Sequence, residues 1–94
     1  MSRPKKLKIV NGLPEHRLYG PINASNKNSI LMSIEEYETI RLIDVEGLRQ
    51  VECAQRMHVG RITVQKLYRD ARYKIANLLV NGIVLKIEGG SYQI

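Results

Sequence analysis

Arg61, Ile62, Thr63, Gln65 and Lys66 open a segment whose later turns add Arg69, Arg72 and Tyr73. Together, these side-chain types can read and hold a nucleic-acid duplex. A guanidinium or ammonium group suits the O6 and N7 of guanine, a carboxamide suits adenine, and an apolar group such as Ile62 suits the thymine methyl. The first five residues are therefore the candidate base readers. Arg69, Arg72 and Tyr73 lie further along and suit phosphate oxygens. Ile62 has a second reading, as a local packing contact for the N-terminal arm.

The remaining reactive inventory is thin. Cys53 and His58 are five apart and fall on different helix faces, which excludes a shared metal or a nucleophile–base pair. A small buried hydrophobe accounts for Cys53. Gly89-Gly90 follows a strand but opens no helix, so it makes no phosphate-cradling loop. No enzymatic activity, no metal and no cofactor is expected.

The elements that would position the readers follow from periodicity. At 100° per residue, Val64, Leu67, Tyr68, Ala71, Ile75 and Leu78 fall on one arc of about 100°. Gln65, Lys66, Arg69, Arg72 and Tyr73 take the opposite arc, with Arg61 at its edge and Ile62 near its centre. A helix over residues 61–80 is thus apolar inside and cationic outside, and Asn81-Gly82 ends it. A shorter helix fits residues 50–57. Between the two, His58-Val59-Gly60 makes a tight turn, with Ala54 small where the second helix crosses. His58 stands where such turns favour glycine, and Gly60 takes the N-cap. Upstream, Ser33 and Glu36 have capping-box spacing, Met32 and Tyr37 form a staple, and a helix runs to about Glu46 before Gly47. Arg49 and Gln50 begin the 50–57 helix, where side chains and free amides suit a phosphate.

Residues 1–32 read as a basic arm (Arg3, Lys5 and Lys6 are candidate phosphate contacts), a short strand over 6–10, and loop from Asn11 to Ser29. The run NASNKNS is the best candidate for local disorder. Residues 33–82 hold the helices, and 83–94 hold a strand over 83–88 and a tail. The predicted class is mainly α: a three-helix, helix-turn-helix domain with short terminal strands.

The charge distribution agrees. The net charge is +6 in 94 residues, which points to a polyanionic partner. Six acids face two bases between Ser33 and Glu52, whereas six bases face Asp70 alone between Arg56 and Lys74. Such segregation favours a docking surface over diffuse solubilisation. One cysteine forms no internal disulfide. No secretory pattern opens the chain, and Ile75–Leu85 is too short to span a bilayer. A cytoplasmic protein without membrane contact is expected.

Four stretches carry a resemblance: the opening RPKK, SIEEYETIRLIDVEGLRQVECAQRM, VGRITVQKLYRDARYKIANLLVNG and the closing LKIEGG. The chain resembles uncharacterised protein family 0251 nearly end to end. That resemblance implies DNA binding through a helix-turn-helix like region 4 of the sigma factors. It also places Arg61, Ile62, Thr63, Gln65 and Lys66 in the base-facing slots. The family pattern has glycine at His58, serine at Gly60, proline at Ile62 and Pro-x-Gly where this chain has Pro21-Ile22-Asn23.

The expected function is sequence-specific binding of double-stranded DNA by a transcriptional regulator. The alternative is an interaction module of the transcription machinery, whose acidic first helix would meet a basic partner protein. A homodimer is expected too. Ile75, Ala76, Leu78, Leu79 and Val80 wrap the end of the long helix in apolar groups, which either a terminal strand or a second copy must cover. The strands near 6–10 and 83–88 would pair with each other or across a two-fold.

Overall fold

The computed structural model describes residues 7–23 and 28–94. Arg3, Lys5 and Lys6 of the arm, and most of the NASNKNS run, lie outside the described residues.

Helix α1 spans Ile34–Ile40 and starts as its sequence requires. The Glu36 amide donates to Ser33 Oγ at 3.1 Å, and the Ser33 amide donates to the Glu36 carboxylate at 2.8 Å. A regular helix to Glu46 was the expectation, but the last turn, Arg41–Val45, widens to π geometry. There the Glu46 amide reaches Arg41 O, and Gly47 reverses the chain with φ +79°. The wide turn lets one guanidinium, that of Arg41, bind both Glu38 and Glu46. Helix α2 spans Gln50–Met57 and α3 spans Arg61–Asn81, closed by Gly82 at φ +66°.

Among the described residues, five short strands accompany the helices. Strand β1 (Lys8–Ile9) pairs in parallel with β5 (Tyr92–Gln93). Strand β4 (Val84–Ile87) is the centre of a second sheet, antiparallel to β2 (Leu18–Tyr19) and parallel to β3 (Ser29–Met32). The expected pairing of the first strand with the 83–88 strand does not occur within the chain. Both edges of β4 are taken by neighbours, and β1 is taken by the tail. Strand β2 falls inside the stretch read as loop; both its residues are exposed, so it carries no apolar alternation. Because β3 and β4 are parallel neighbours, all three helices lie within the crossover that joins them.

Two buried clusters result. Val10, Met32, Ile34, Ala71, Leu85 and Ile87 pack between the sheets, α1 and α3. Leu42, Cys53, Ala54, Met57 and Val64 pack where α2 crosses the end of α1 and the start of α3.

The three acids of α1 do not form an exposed face. Glu35, Glu36 and Glu38 are buried, and each is paired within the molecule. Glu35 accepts from the Ser91 amide at 3.1 Å and bridges Lys8 at 3.3 Å. Glu36 bridges Lys74 of α3 at 2.7 Å. Glu38 accepts from the Asn11 amide at 3.0 Å and takes both Nε and Nη2 of Arg41. Carboxylates so enclosed persist only with partners, and here the partners come from five different parts of the chain. Lys74 is thereby withdrawn from the cationic surface.

The closing Gly89-Gly90 completes this arrangement. Gly89 O accepts from the Ile34 amide at 3.0 Å, so the tail caps α1. Gly90 has φ +113°, and a Cβ there would fall into the Glu35 carboxylate and within 3.0 Å of Ser33 Cβ. Gly90→Ala is expected to destabilise the fold by at least ~2 kcal/mol, combining backbone strain with displacement of a buried charge. Gly12→Ala, which meets nothing within 4 Å, is expected to change stability by less than about 0.5 kcal/mol. Urea unfolding of the two variants checks both outcomes.

Candidate nucleic-acid interface

The turn before α3 is built from backbone geometry. His58 takes the left-handed conformation, φ 56° and ψ 44°. Its amide donates to Gln55 O at 3.3 Å, and the Val59 amide donates to Ala54 O at 3.0 Å. This paired closure is the Schellman pattern. Val59 then packs onto the Ala54–Met57 cluster, holding the chain against α2 as it turns. Gly60 follows in extended conformation and caps α3 without a side chain. The first amides of α3 are therefore left to solvent or to a ligand.

On α3 the inner arc packs as its spacing requires. Val64 and Ala71 are fully buried, and Leu67, Tyr68, Ile75 and Leu78 are partly buried. Every expected reader is exposed: Arg61, Ile62, Thr63, Gln65 and Lys66 share the solvent side of the first two turns. Ile62 is 81% exposed, so no described part of the chain covers it. Arg69, Arg72 and Tyr73 continue the same side and are exposed as well.

The phosphate candidates differ in how free they are. Among the described residues, Arg69 makes only a 3.4 Å contact with its neighbour Asp70. Arg72 leans back: its Nη1 donates to the Tyr68 hydroxyl at 3.2 Å, and its guanidinium lies 5.4 Å from the Tyr68 ring centre. That hydroxyl donates to Asp44 at 2.7 Å, tying α3 to the π turn of α1. Burial, and then the bond to Asp44, raise the Tyr68 phenol above its ordinary pKa. Nothing local signals this link, because Asp44 and Tyr68 are 24 residues apart.

At the start of α2 the expectation of free amides needs correction at Arg49. The Arg49 amide donates to Glu52 Oε1 at 2.9 Å, and Arg49 Nε lies 3.3 Å from the same oxygen. The amide bond, and then the guanidinium, hold the Glu52 carboxyl below its usual range. A carboxylate already occupies this helix end, where a phosphate would otherwise be drawn. Arg49 remains exposed, while Gln50 is half-buried.

Cys53 faces the interior, with its thiol 3.7 Å from Met57 Sδ. Burial, and then the nearby Glu38 charge, push its pKa up to about 11. Among the described residues, no helix is long and apolar enough to cross a membrane.

The chain belongs to a family described as protein of unknown function DUF134, whose model matches residues 1–94. A UPF0251 protein of Desulfitobacterium hafniense is 53% identical over the whole chain, which covers 77% of that relative. A UPF0251 protein of Halothermothrix orenii is 46% identical over the whole chain and 71% of its own length. One from Thermoanaerobacter pseudethanolicus is 40% identical over the whole chain and 81% of its own length. No solved structure matches the chain.

Two outcomes test this local geometry. His58→Gly is expected to stabilise the protein by roughly 0.5–1 kcal/mol, since glycine meets no side-chain penalty at positive φ but gives up more freedom on folding. Calorimetry should record a rise of a few degrees in Tm. Cys53 is expected to react with iodoacetamide at pH 8 at least a hundredfold more slowly in the folded protein than in urea, because its folded thiolate fraction is lower by about that factor.

Proposed function

We propose that this member of the DUF134 family binds double-stranded DNA, with α2 and α3 acting as a helix-turn-helix and α3 as the recognition helix. Transcriptional regulation is the role this reading implies. The observation that supports it most is the outer face of α3. Arg61, Lys66, Arg69 and Arg72 project with Thr63 and Gln65 from one exposed side, and Asp70 is the single acid on the helix itself. An uncapped helix start, set at a tight turn, precedes them.

The roles divide by position. Arg61 and Lys66 suit guanine, Gln65 suits adenine, Ile62 suits a thymine methyl, and Thr63 suits either a base edge or a sugar–phosphate oxygen. The exposure of Ile62 supports an apolar contact supplied from outside. Arg69 suits phosphate better than Arg72, whose guanidinium is engaged with Tyr68 and Asp44. Arg49 supplies charge at the start of α2, without its amide. The alternative, an interaction module of the transcription machinery, draws less support from the first helix, where Glu35, Glu36 and Glu38 are buried while Asp44 and Glu46 remain exposed.

A mobility-shift titration on random-sequence duplex tests the reading. Affinity is expected to fall steeply with salt, at about 0.9 logarithmic units per phosphate contact for each tenfold increase. Arg69→Ala should weaken all duplexes alike and reduce the slope by about 1, whereas Gln65→Ala should erode preference for a selected site by about 1–3 kcal/mol. Absence of any shift at low salt, or a shift indifferent to salt, overturns the proposal.

A further inference from the structure

The outer face of α3 changes character along its length. Its first half presents the cations described above. Its second half presents Tyr73, Ala76, Leu79 and Val80, with Leu79 74% and Val80 80% exposed. On the inner side of the same turns, Ile75 and Leu78 are covered by α1 and the sheet. The terminal strand therefore covers only half of the apolar wrapping, and the rest faces outward. With a rise of about 1.5 Å per residue, Val80 lies about 27 Å along the axis from Ile62. That distance exceeds the ~12 Å width of a major groove, so one duplex contact does not bury both halves.

We propose that this second half is the contact between two copies of the chain, packed antiparallel about a two-fold near Ala76. Three observations select a second copy over another occupant. First, no charged residue occurs from Ile75 through Leu85. Two molecules of net charge +6 repel one another, and a charge-free face is where they approach at least cost. It also offers no charge to a polyanion or an acidic peptide. Second, the patch is self-complementary. An antiparallel pairing centred between positions 76 and 77 sets Tyr73 of one copy beside Val80 of the other, and the reverse. The small Ala76 sits near the axis, where the helices come closest. A two-fold contact requires that reciprocity. Third, Asn81 donates to Asn77 on the same helix, so part of the bonding of the nearby amides is met within one copy.

The pairing leaves the Arg61–Lys66 turn of each copy uncovered, about 20 Å from the axis. The named patch, Tyr73, Ala76, Leu79 and Val80, is far short of the roughly 20–30 residues a side of a typical interface, so a weak dimer, on the order of micromolar, is expected.

Sedimentation equilibrium of the full chain without DNA, from micromolar to submillimolar concentration, tests the proposal. The mass is expected to rise from the 10.8 kDa monomer toward twice that value. Val80→Glu should weaken association at least tenfold while leaving circular dichroism and Tm unchanged, because the residue is exposed. Arg69→Ala, on the cationic half, should associate like the wild type. Ala76→Cys should form a disulfide-linked dimer on mild oxidation, with buried Cys53 unreacted. A monomer mass throughout overturns the proposal, whatever else the patch then binds. So does association that Val80→Glu leaves intact. The DNA reading stands or falls separately, on the duplex titration of the wild type.

Discussion

Three buried carboxylates on one short helix hold this fold together. Glu35, Glu36 and Glu38 of α1 reach the tail at Ser91, strand β1 at Lys8, helix α3 at Lys74, the loop at Asn11 and the π turn at Arg41. An isolated buried charge is costly, and a buried pair offsets that cost only when its geometry is complete. The arrangement thus contributes more to specificity than to net stability. An alternative docking of α3 or of the tail would strand a charge inside, and the native docking is set by that penalty. Gly90 belongs to the same constraint, because any side chain there would occupy the space of the Glu35 carboxylate.

Neutralising the acids inside also shapes the outside. The chain carries nine acids against fifteen bases, but the acids of α1 are enclosed and do not face solvent. What remains on α3 is a cationic first half, and Asp70 is the single acid on that helix. The interior clamp and the exposed field are therefore one device. The helix that supplies the field is positioned by an ion pair formed from one of its own lysines. Further along α3 the same outer side loses charge altogether. A single helix then carries two unlike surfaces, separated along its axis rather than around it.

The turn between α2 and α3 shows how a departure from an expected residue is accommodated. His58 occupies a left-handed position that suits glycine, yet both hydrogen bonds of the closure form and Val59 reaches the core. Packing of Ala54, Met57, Val59 and Val64 overrides a local preference of about 1–2 kcal/mol. With Gly60 in place of a side-chain cap, the start of α3 keeps its amides free while the turn itself stays defined by the backbone.

Local signals were legible in the sequence: the Ser33–Glu36 capping box, the stops at Gly47 and Gly82, the tight turn at His58, and the two arcs of α3. Each depends on residues within one or two turns of one another, so periodicity and capping chemistry suffice to read them, and the candidate readers were found that way. Spacing did not reveal the destinations of long-range partners. Strand β2 has two exposed residues and no alternation, so its place beside β4 follows only from the sheet that receives it. The acidic run of α1 looked like a surface because charge is normally solvated; the tertiary structure decided that it lies inside, by bringing Lys8, Asn11, Lys74 and Ser91 to it from far along the chain. The sequence by itself determined which helices form and which sides they present. The tertiary structure alone decided which charges remain to be presented, because pairing across dozens of residues leaves no local trace.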